Sequence, residues 1–201
     1  MIWRESTLVS PGQGGVYGER MRGGYRVWEP RRSKLAALAY LDREFDIEDG
    51  LRVLYLGAAN GTTVSHVADY AEVVYAVEFA PRPMQDLLAI AHRRKNIVPI
   101  LADANRPEQY AALLEPVDLV VQDVAQPHQA MIAVRNRPFL APGGRLALML
   151  KVRSIDQSRS LDEVGTEAEA VLEAGGYAVE SSRSLLPYHR DHLAILARRE
   201  R

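Results

Sequence analysis

The sequence contains no cysteine. Disulfides, thiolate metal sites and cysteine nucleophiles are therefore excluded. No apolar run approaches the ~20 residues that a membrane-spanning helix needs. The N-terminus has no apolar signal core followed by a small-residue cleavage site, so the expected location is cytoplasmic. Net charge is also nearly absent, since 25 basic and 26 acidic residues leave a formal charge of −1. A chain so balanced does not grip nucleic acid by bulk charge alone. Local basic patches, and a grip supplied by a partner, stay open. Lysine is scarce: only Lys34, Lys95 and Lys151 stand among those 25 basic residues. Lysine can lose its proton and act as a base, and arginine cannot. Lys95 lies in the run His92-Arg93-Arg94-Lys95, where solvation accounts for it. Lys34 and Lys151 lie in no such run. On this feature alone, chance is the competing explanation.

What is present fits one domain. The 201 residues are 47% hydrophobic and 25% charged, ordinary values for a soluble globular chain. Residues 1–28 read as a short β-rich extension and 29–201 as the main domain. The stretch from Met1 to Tyr25 is rich in glycine and turn residues, and predicts short strands or an arm without its own core. A helix is expected from about Arg31 to Glu44, after Pro30. From Leu51 the chain alternates strand and helix. Unbroken apolar runs at 53–56, 73–77, 97–101, 119–121 and 146–150 read as strands buried on both faces of a parallel sheet. Met84, Leu87, Leu88 and Ala91 share one face of a helix opened by Pro81 and Pro83. Ser160 and Glu163 have capping-box spacing, and Leu161, Val164, Ala168, Val171 and Leu172 line the helix that follows. Gly175-Gly176 supplies a stop. Two closing strands are expected near Tyr177–Arg183 and His192–Ala197. The pattern predicts an open, doubly wound α/β sheet.

In such sheets ligands bind beyond the carboxyl ends of the strands. The first strand is followed by the loop Gly57-Ala58-Ala59-Asn60-Gly61-Thr62-Thr63, which permits close approach of a ligand to the backbone. Glu78 stands at the second strand tip, about 20 residues beyond Gly57, where an acid can hold the ribose hydroxyls of a nucleoside. Asp103 stands at the third tip, Asp123 after the fourth and Lys151 at the fifth. The glycine loop lacks the third glycine that seats a dinucleotide pyrophosphate. With Asp103 suited to an adenine amino group, this favours S-adenosylmethionine over NAD. Strand-tip acids also serve as helix caps. That reading stays open for Asp103, and is the weaker one for Glu78 and Asp123.

Several motifs in order along the chain are peculiar to one family. They are the runs at 25–37, 53–67, 74–79 and 100–104, then Gln122-Asp123-Val124-Ala125-Gln126-Pro127, Lys151-Val152-Arg153-Ser154-Ile155-Asp156, and Asp191-His192. From about Tyr17 to the C-terminus the sequence resembles the fibrillarin family in its archaeal branch. It departs from that branch at its start, where only a short stretch precedes Tyr17 in place of a longer β-rich region.

The resemblance implies a seven-stranded class I methyltransferase fold and an RNA 2′-O-methyltransferase that uses S-adenosylmethionine. It implies work on ribosomal and transfer RNA precursors within box C/D particles, in which a guide RNA selects the target RNA. A Nop-family scaffold protein and a kink-turn-binding ribosomal-type protein are the implied partners, with no membrane involved. It carries a catalytic tetrad onto Lys34, Asp123, Lys151 and His192. It carries cofactor contacts onto Gly57, Ala58, Thr62, Thr63, Glu78, Phe79, Asp103, Ala104, Asp123, Val124, Ala125 and Gln126, and no metal.

A ribose hydroxyl must lose its proton at or before the transition state. Lys151 is assigned as the base, because the like charges of Lys34 and the sulfonium favour its neutral amine. Lys34 would stabilise the developing alkoxide, Asp123 would orient the amine, and His192 would position the ribose or relay the proton. His66, His92, His128 and His189 are expected to be structural or solvent-facing. Tyr17, Tyr25 and Trp28 are expected to pack. Arg31, Arg32, Arg93, Arg94 and Arg153 are candidate phosphate contacts. Three rivals remain: an NAD-dependent oxidoreductase, a non-catalytic subunit that keeps the fold, and a small-molecule methyltransferase. The missing third glycine, the intact tetrad and the lack of a lid-sized insert count against them in turn.

Overall fold

The structure is a computed structural model that describes residues 1–155 and 158–200. Asp156, the last residue of one motif above, lies outside them. Four short strands come first: β1 (Ile2–Arg4), β2 (Thr7–Ser10), β3 (Met21–Arg22) and β4 (Tyr25–Val27). They form an antiparallel sheet in the order β1-β2-β4-β3.

The main sheet is built from β5 (Arg52–Leu56), β6 (Val73–Glu78), β7 (Ile97–Leu101), β8 (Val117–Gln122), β9 (Leu140–Lys151), β10 (Tyr177–Ser184) and β11 (His192–Arg199). Its order is β10-β11-β9-β8-β5-β6-β7. The five strands from β9 to β7 are parallel, and β11 lies antiparallel between β9 and β10. The direction of winding reverses between β5 and β8, so the loops after those two strands flank the crevice where open sheets bind ligands.

Among the described residues five α-helices cover the sheet: α1 (Lys34–Leu41), α2 (Thr62–Val67), α3 (Pro81–Arg93), α4 (Gln129–Asn136) and α5 (Leu161–Ala174). Strand side chains alternate between faces, which divides the core in two. Val53, Tyr55, Val74, Ala76, Val121 and Met149 pack against α1, α2 and α3. Leu54, Leu56, Val77, Val120, Leu148 and Leu150 pack against α4 and α5.

The strand runs, the closing pair and the capping box of α5 stand as expected, the last with both reciprocal bonds between Ser160 and Glu163. Two expectations need correction. The first helix is shorter than 31–44, because the Ser33 hydroxyl accepts the Ala36 N–H and fixes the start at Lys34, while extended backbone at Asp42 ends it. On α3 the buried face is Met84, Leu87 and Ile90; Leu88 points to solvent, 50% exposed. The reason lies at Gly61, where a Cβ would meet Leu87 and Ile90 side chains at 2.9 Å. The second glycine of the loop thus seats α3 against the start of α2.

The N-terminal sheet shares the main core, with Leu8 and Trp28 in the same cluster as α1 and α2. A buried polar network binds it there. Arg26 is fully buried and donates to Glu19 and Asp69, each at 2.6 Å, and to the Ser65 carbonyl and hydroxyl. His66 lies between Ser10 Oγ and the Tyr17 hydroxyl, 2.7 Å from each, with its ring stacked on Trp28. The Ser10 hydroxyl donates its one proton to Asp69. It must therefore accept from His66 Nδ1, which leaves Nε2 to accept from Tyr17. The neutral imidazole satisfies every bond. Burial, reinforced by the Arg26 charge, pushes its pKa down to about 2.

Candidate active site

The carboxyl edge of the main sheet collects the residues singled out in the sequence. β5 ends at Leu56 and the chain turns at Gly57, with φ of +82°. A Cβ there would lie 2.4 Å from the Asp123 carbonyl oxygen, so only glycine lets the loops after β5 and β8 come this close. A cavity of about 260 Å³ opens beside them, lined by Gly57, Glu78, Phe79, Ala104, Asp123, Val124, Ala125 and Gln126. A second, of about 350 Å³, is lined by Lys34, Tyr55, Gly57, Ala58, Thr62, Thr63 and Asp123. Gly57 and Asp123 are common to both.

Glu78 closes the second strand. Its carboxylate accepts the N–H groups of Ala59 at 2.8 Å and Ala80 at 2.7 Å, which fixes its orientation and leaves lone pairs for hydroxyl donors. Phe79 is 68% exposed beside it, an apolar face presented to the cavity. Asp103 lies one step away. It lines an adjoining cavity with Phe79, Leu101 and Arg106, and does not line the 260 Å³ one. One Asp103 oxygen accepts from the Asn105 N–H and from Gln126 Nε2. It therefore braces its own turn and holds Gln126, and caps no α-helix. The Thr62 and Thr63 hydroxyls donate to Asn60 and Ser33, tying the glycine loop and α1 together.

Lys34, Asp123 and His192 converge next to these cavities. Lys34 is the first residue of α1, and its Nζ is 2.9 Å from the Asp123 carboxylate. Asp123 follows directly on β8 and does not cap α4, whose cap position is His128. His192 opens β11 directly opposite Lys151, the last residue of β9. Burial is the chief cause that holds the His192 pKa below its usual value. The Lys34 charge adds to it, and the Arg190 carbonyl and Asp123 oppose it. His192 Nδ1 donates to the Arg190 carbonyl, while the buried Nε2 has no partner among the described residues. Lys151 Nζ, unlike Lys34, has no carboxylate partner among the described residues, so the expectation that Asp123 orients the Lys151 amine is corrected: Asp123 holds Lys34.

Three neighbours were not placed at the site by the sequence. Tyr55 reads as core within an apolar run, yet it lines the second cavity beside Lys34, and burial raises its pKa with Asp123 adding to the effect. His189, expected to be structural or solvent-facing, has a structural bond, donating Nε2–H to the Pro30 carbonyl at 2.7 Å, and stands 6.0 Å from the His192 ring. Gln129 bonds the main chain of Lys151. The spacing Pro30–Lys34 and the motif around His192 were the available signals for His189. A further cavity, about 820 Å³, lies away from the carboxyl edge, beside Leu119 of β8 and Arg145 and Leu146 of β9. Its charges are largely paired with one another, as in Arg183–Asp42 and Arg198–Glu180.

Comparison with known proteins bears on this arrangement. The sequence model described as Fibrillarin matches residues 6–201. A protein of Methanoculleus marisnigri named fibrillarin-like rRNA/tRNA 2′-O-methyltransferase is 62% identical over 99% of both chains. A solved fibrillarin of Aeropyrum pernix with natively bound S-adenosyl-L-methionine is 46% identical, with a TM-score of 0.81, covering 94% of this chain and 85% of that one. The structure of a fibrillarin/Nop5p complex is 42% identical, with a TM-score of 0.90, covering 96% and 94% respectively.

Proposed function

The chain belongs to the fibrillarin family, and from that premise we propose that it methylates the ribose 2′-hydroxyl of ribosomal and transfer RNA precursors with S-adenosylmethionine. Residues 1–28 are an extension and 29–201 the methyltransferase domain. The observation that carries the reading is the Lys34–Asp123 pair, set at 2.9 Å against the glycine loop with Lys151 and His192 side by side on the adjoining strands.

The cofactor fits the residues present. Gly57 and the Asp123 main chain form a close backbone wall, Glu78 offers an acceptor for ribose hydroxyls, and Phe79 offers an apolar face. Gln126, held by Asp103, stands beside it. When bound, S-adenosylmethionine supplies an electrophilic methyl group on a sulfonium.

The remaining chemistry belongs to the chain. Lys151 takes the proton from the ribose hydroxyl: it has no carboxylate partner among the described residues and stands beside His192 at the strand ends. Lys34, held in place by Asp123, stabilises the alkoxide as it forms. His192, neutral and with its Nε2 lone pair uncommitted, accepts a hydrogen bond from the ribose or passes on the proton.

The target is selected by a box C/D guide RNA. The chain is held by a Nop-family scaffold, as the solved fibrillarin/Nop5p complex supports, and a kink-turn-binding ribosomal-type protein completes the particle. A net charge of −1 suits a subunit whose particle supplies most of the grip on RNA. Among the described residues no helix is long and apolar enough to cross a membrane, and the setting proposed is the cytoplasm of an archaeal cell.

The test is methyl transfer in a particle reconstituted from this chain, a guide RNA, the two partner proteins and a complementary target. The expected result is one linkage resistant to alkaline cleavage opposite the guide, lost when Lys151 is replaced by Arg. Full assembly and cofactor binding without protection would refute the reading in favour of a structural subunit.

A further inference from the structure

β8 stops at Gln122, opposite Leu148 of β9. β9 runs three residues further, to Lys151, accompanied on its other side by β11. Among the described residues, no strand therefore lies beside the edge of Lys151 that faces away from β11. A side chain fills that place. Gln129, the first residue of α4 and 1% exposed, turns its carboxamide to the Lys151 main chain. Its Oε1 accepts the Lys151 N–H at 2.9 Å, and its Nε2 donates to the Lys151 carbonyl at 3.1 Å. A carboxamide carries a donor and an acceptor side by side, as a peptide does, so it pairs as a strand residue would. The orientation cannot be reversed, because the N–H only donates and the carbonyl only accepts.

Two consequences follow for the amine. Both main-chain groups of Lys151 point away from β11, so Lys151 and His192 form the non-hydrogen-bonded kind of antiparallel pair, whose side chains stand closest. The last turn of β9 is also held from both sides, by Gln129 at Lys151 and by the bond from Val152 N–H to the Asp191 carbonyl. A second buried glutamine stands behind the first: Gln122 Nε2 donates to the Gln129 carbonyl at 2.7 Å. The two bracket the segment that carries Asp123 and Gln126. A methionine would fill either space equally well, and buried carboxamides cost free energy unless they are bonded. What they add over methionine is direction.

We infer that Gln129, backed by Gln122, is a positioning residue for Lys151, holding the end of β9 so that the amine meets the substrate hydroxyl. The role rests on the reading of Lys151 as the base. The test compares Q129M, Q122M and K151R with the unaltered chain in the reconstituted particle. Single-turnover methyl transfer is measured at saturating S-adenosylmethionine, cofactor affinity by titration, and Lys151 amide exchange in the free protein. Q129M should lower the single-turnover rate by up to roughly 100-fold, the scale on which small misplacements act. Its cofactor affinity should change less than about twofold, and the Lys151 amide should exchange roughly tenfold faster. Q122M should lower the same rate by less, and it carries the test if Q129M does not fold. A fully active Q129M or Q122M beside an inactive K151R overturns the positioning role alone. An active K151R overturns the base assignment, and the role with it.

Discussion

His66 should make this protein sensitive to acid well above the range in which carboxylates titrate. The ring is fully buried, stacked on Trp28 and bonded to Ser10 and Tyr17 in the one tautomer that satisfies all three groups. Its pKa falls to about 2 in the folded chain, chiefly through burial and then through the Arg26 charge. In the unfolded chain it is about 6.5. Between those values the unfolded state binds the extra proton and the folded state does not, so stability rises with pH through the window and is lost as pH falls below about 6.5. One proton contributes about 1.4 kcal/mol for each pH unit. At pH 4.5, two units into the window, the loss from this residue is therefore about 3 kcal/mol. His189 and His192 are also held below the usual value and act in the same direction, so the test must be differential. Urea unfolding of the unaltered chain and of H66Q, followed at intervals from pH 7.5 to 4.5, isolates the contribution. H66Q is expected to start less stable, having lost the stacking and a bond, and to show the shallower pH slope. Parallel slopes for the two chains would refute the account, and would mean that His66 is either solvated or protonated where it stands.

Other expectations come from the same structure. R26M leaves Glu19 buried without its cation and leaves Asp69 with Arg94 alone, and should cost about 3–5 kcal/mol in urea unfolding; a loss under 1 kcal/mol would mean the Arg26–Glu19 pair is not buried. Gly57→Ala forces a Cβ against the Asp123 carbonyl at φ of +82°, and should cost about 2 kcal/mol or more while weakening S-adenosylmethionine binding in calorimetry; undiminished binding would place the cofactor elsewhere. S160A removes the hydroxyl half of the capping box and should cost about 1 kcal/mol, with methyl transfer unchanged at permissive temperature.

The scaffold was legible because strands buried on both faces cannot hide. The runs at 53–56, 73–77 and 97–101 became β5, β6 and β7 almost residue for residue. The capping box at Ser160 was legible because it depends on four consecutive residues and nothing else. Where a boundary depended on tertiary contacts, the sequence said less. Nothing local distinguishes Leu88 from Leu87, and the choice is made by Gly61 some 26 residues away. The site shows the same division. Lys34, Asp123, Lys151 and His192 were found through lysine scarcity, strand-tip position and family motifs. Their supports were not, because Gln129, His189 and Tyr55 act through main-chain atoms or from inside an apolar run, and leave no pattern in side-chain type. The network around His66 was not legible for a related reason: Ser10, Tyr17, Arg26 and Asp69 lie in four separate segments, and although Tyr17 was expected to pack, nothing local joins it to the other three.

The pairing of Lys151 with His192 has a consequence for how the gene can change. The two residues are 41 positions apart, yet their separation in space is set by one rung of a ladder and not by the length of the chain between them. Residues can be added or removed in the connections around α5 without moving either group. A deletion of a single codon within β11 cannot be absorbed in that way. It would advance His192 by one rung and turn its imidazole to the far face of the sheet, leaving a folded protein with both residues intact and no site between them.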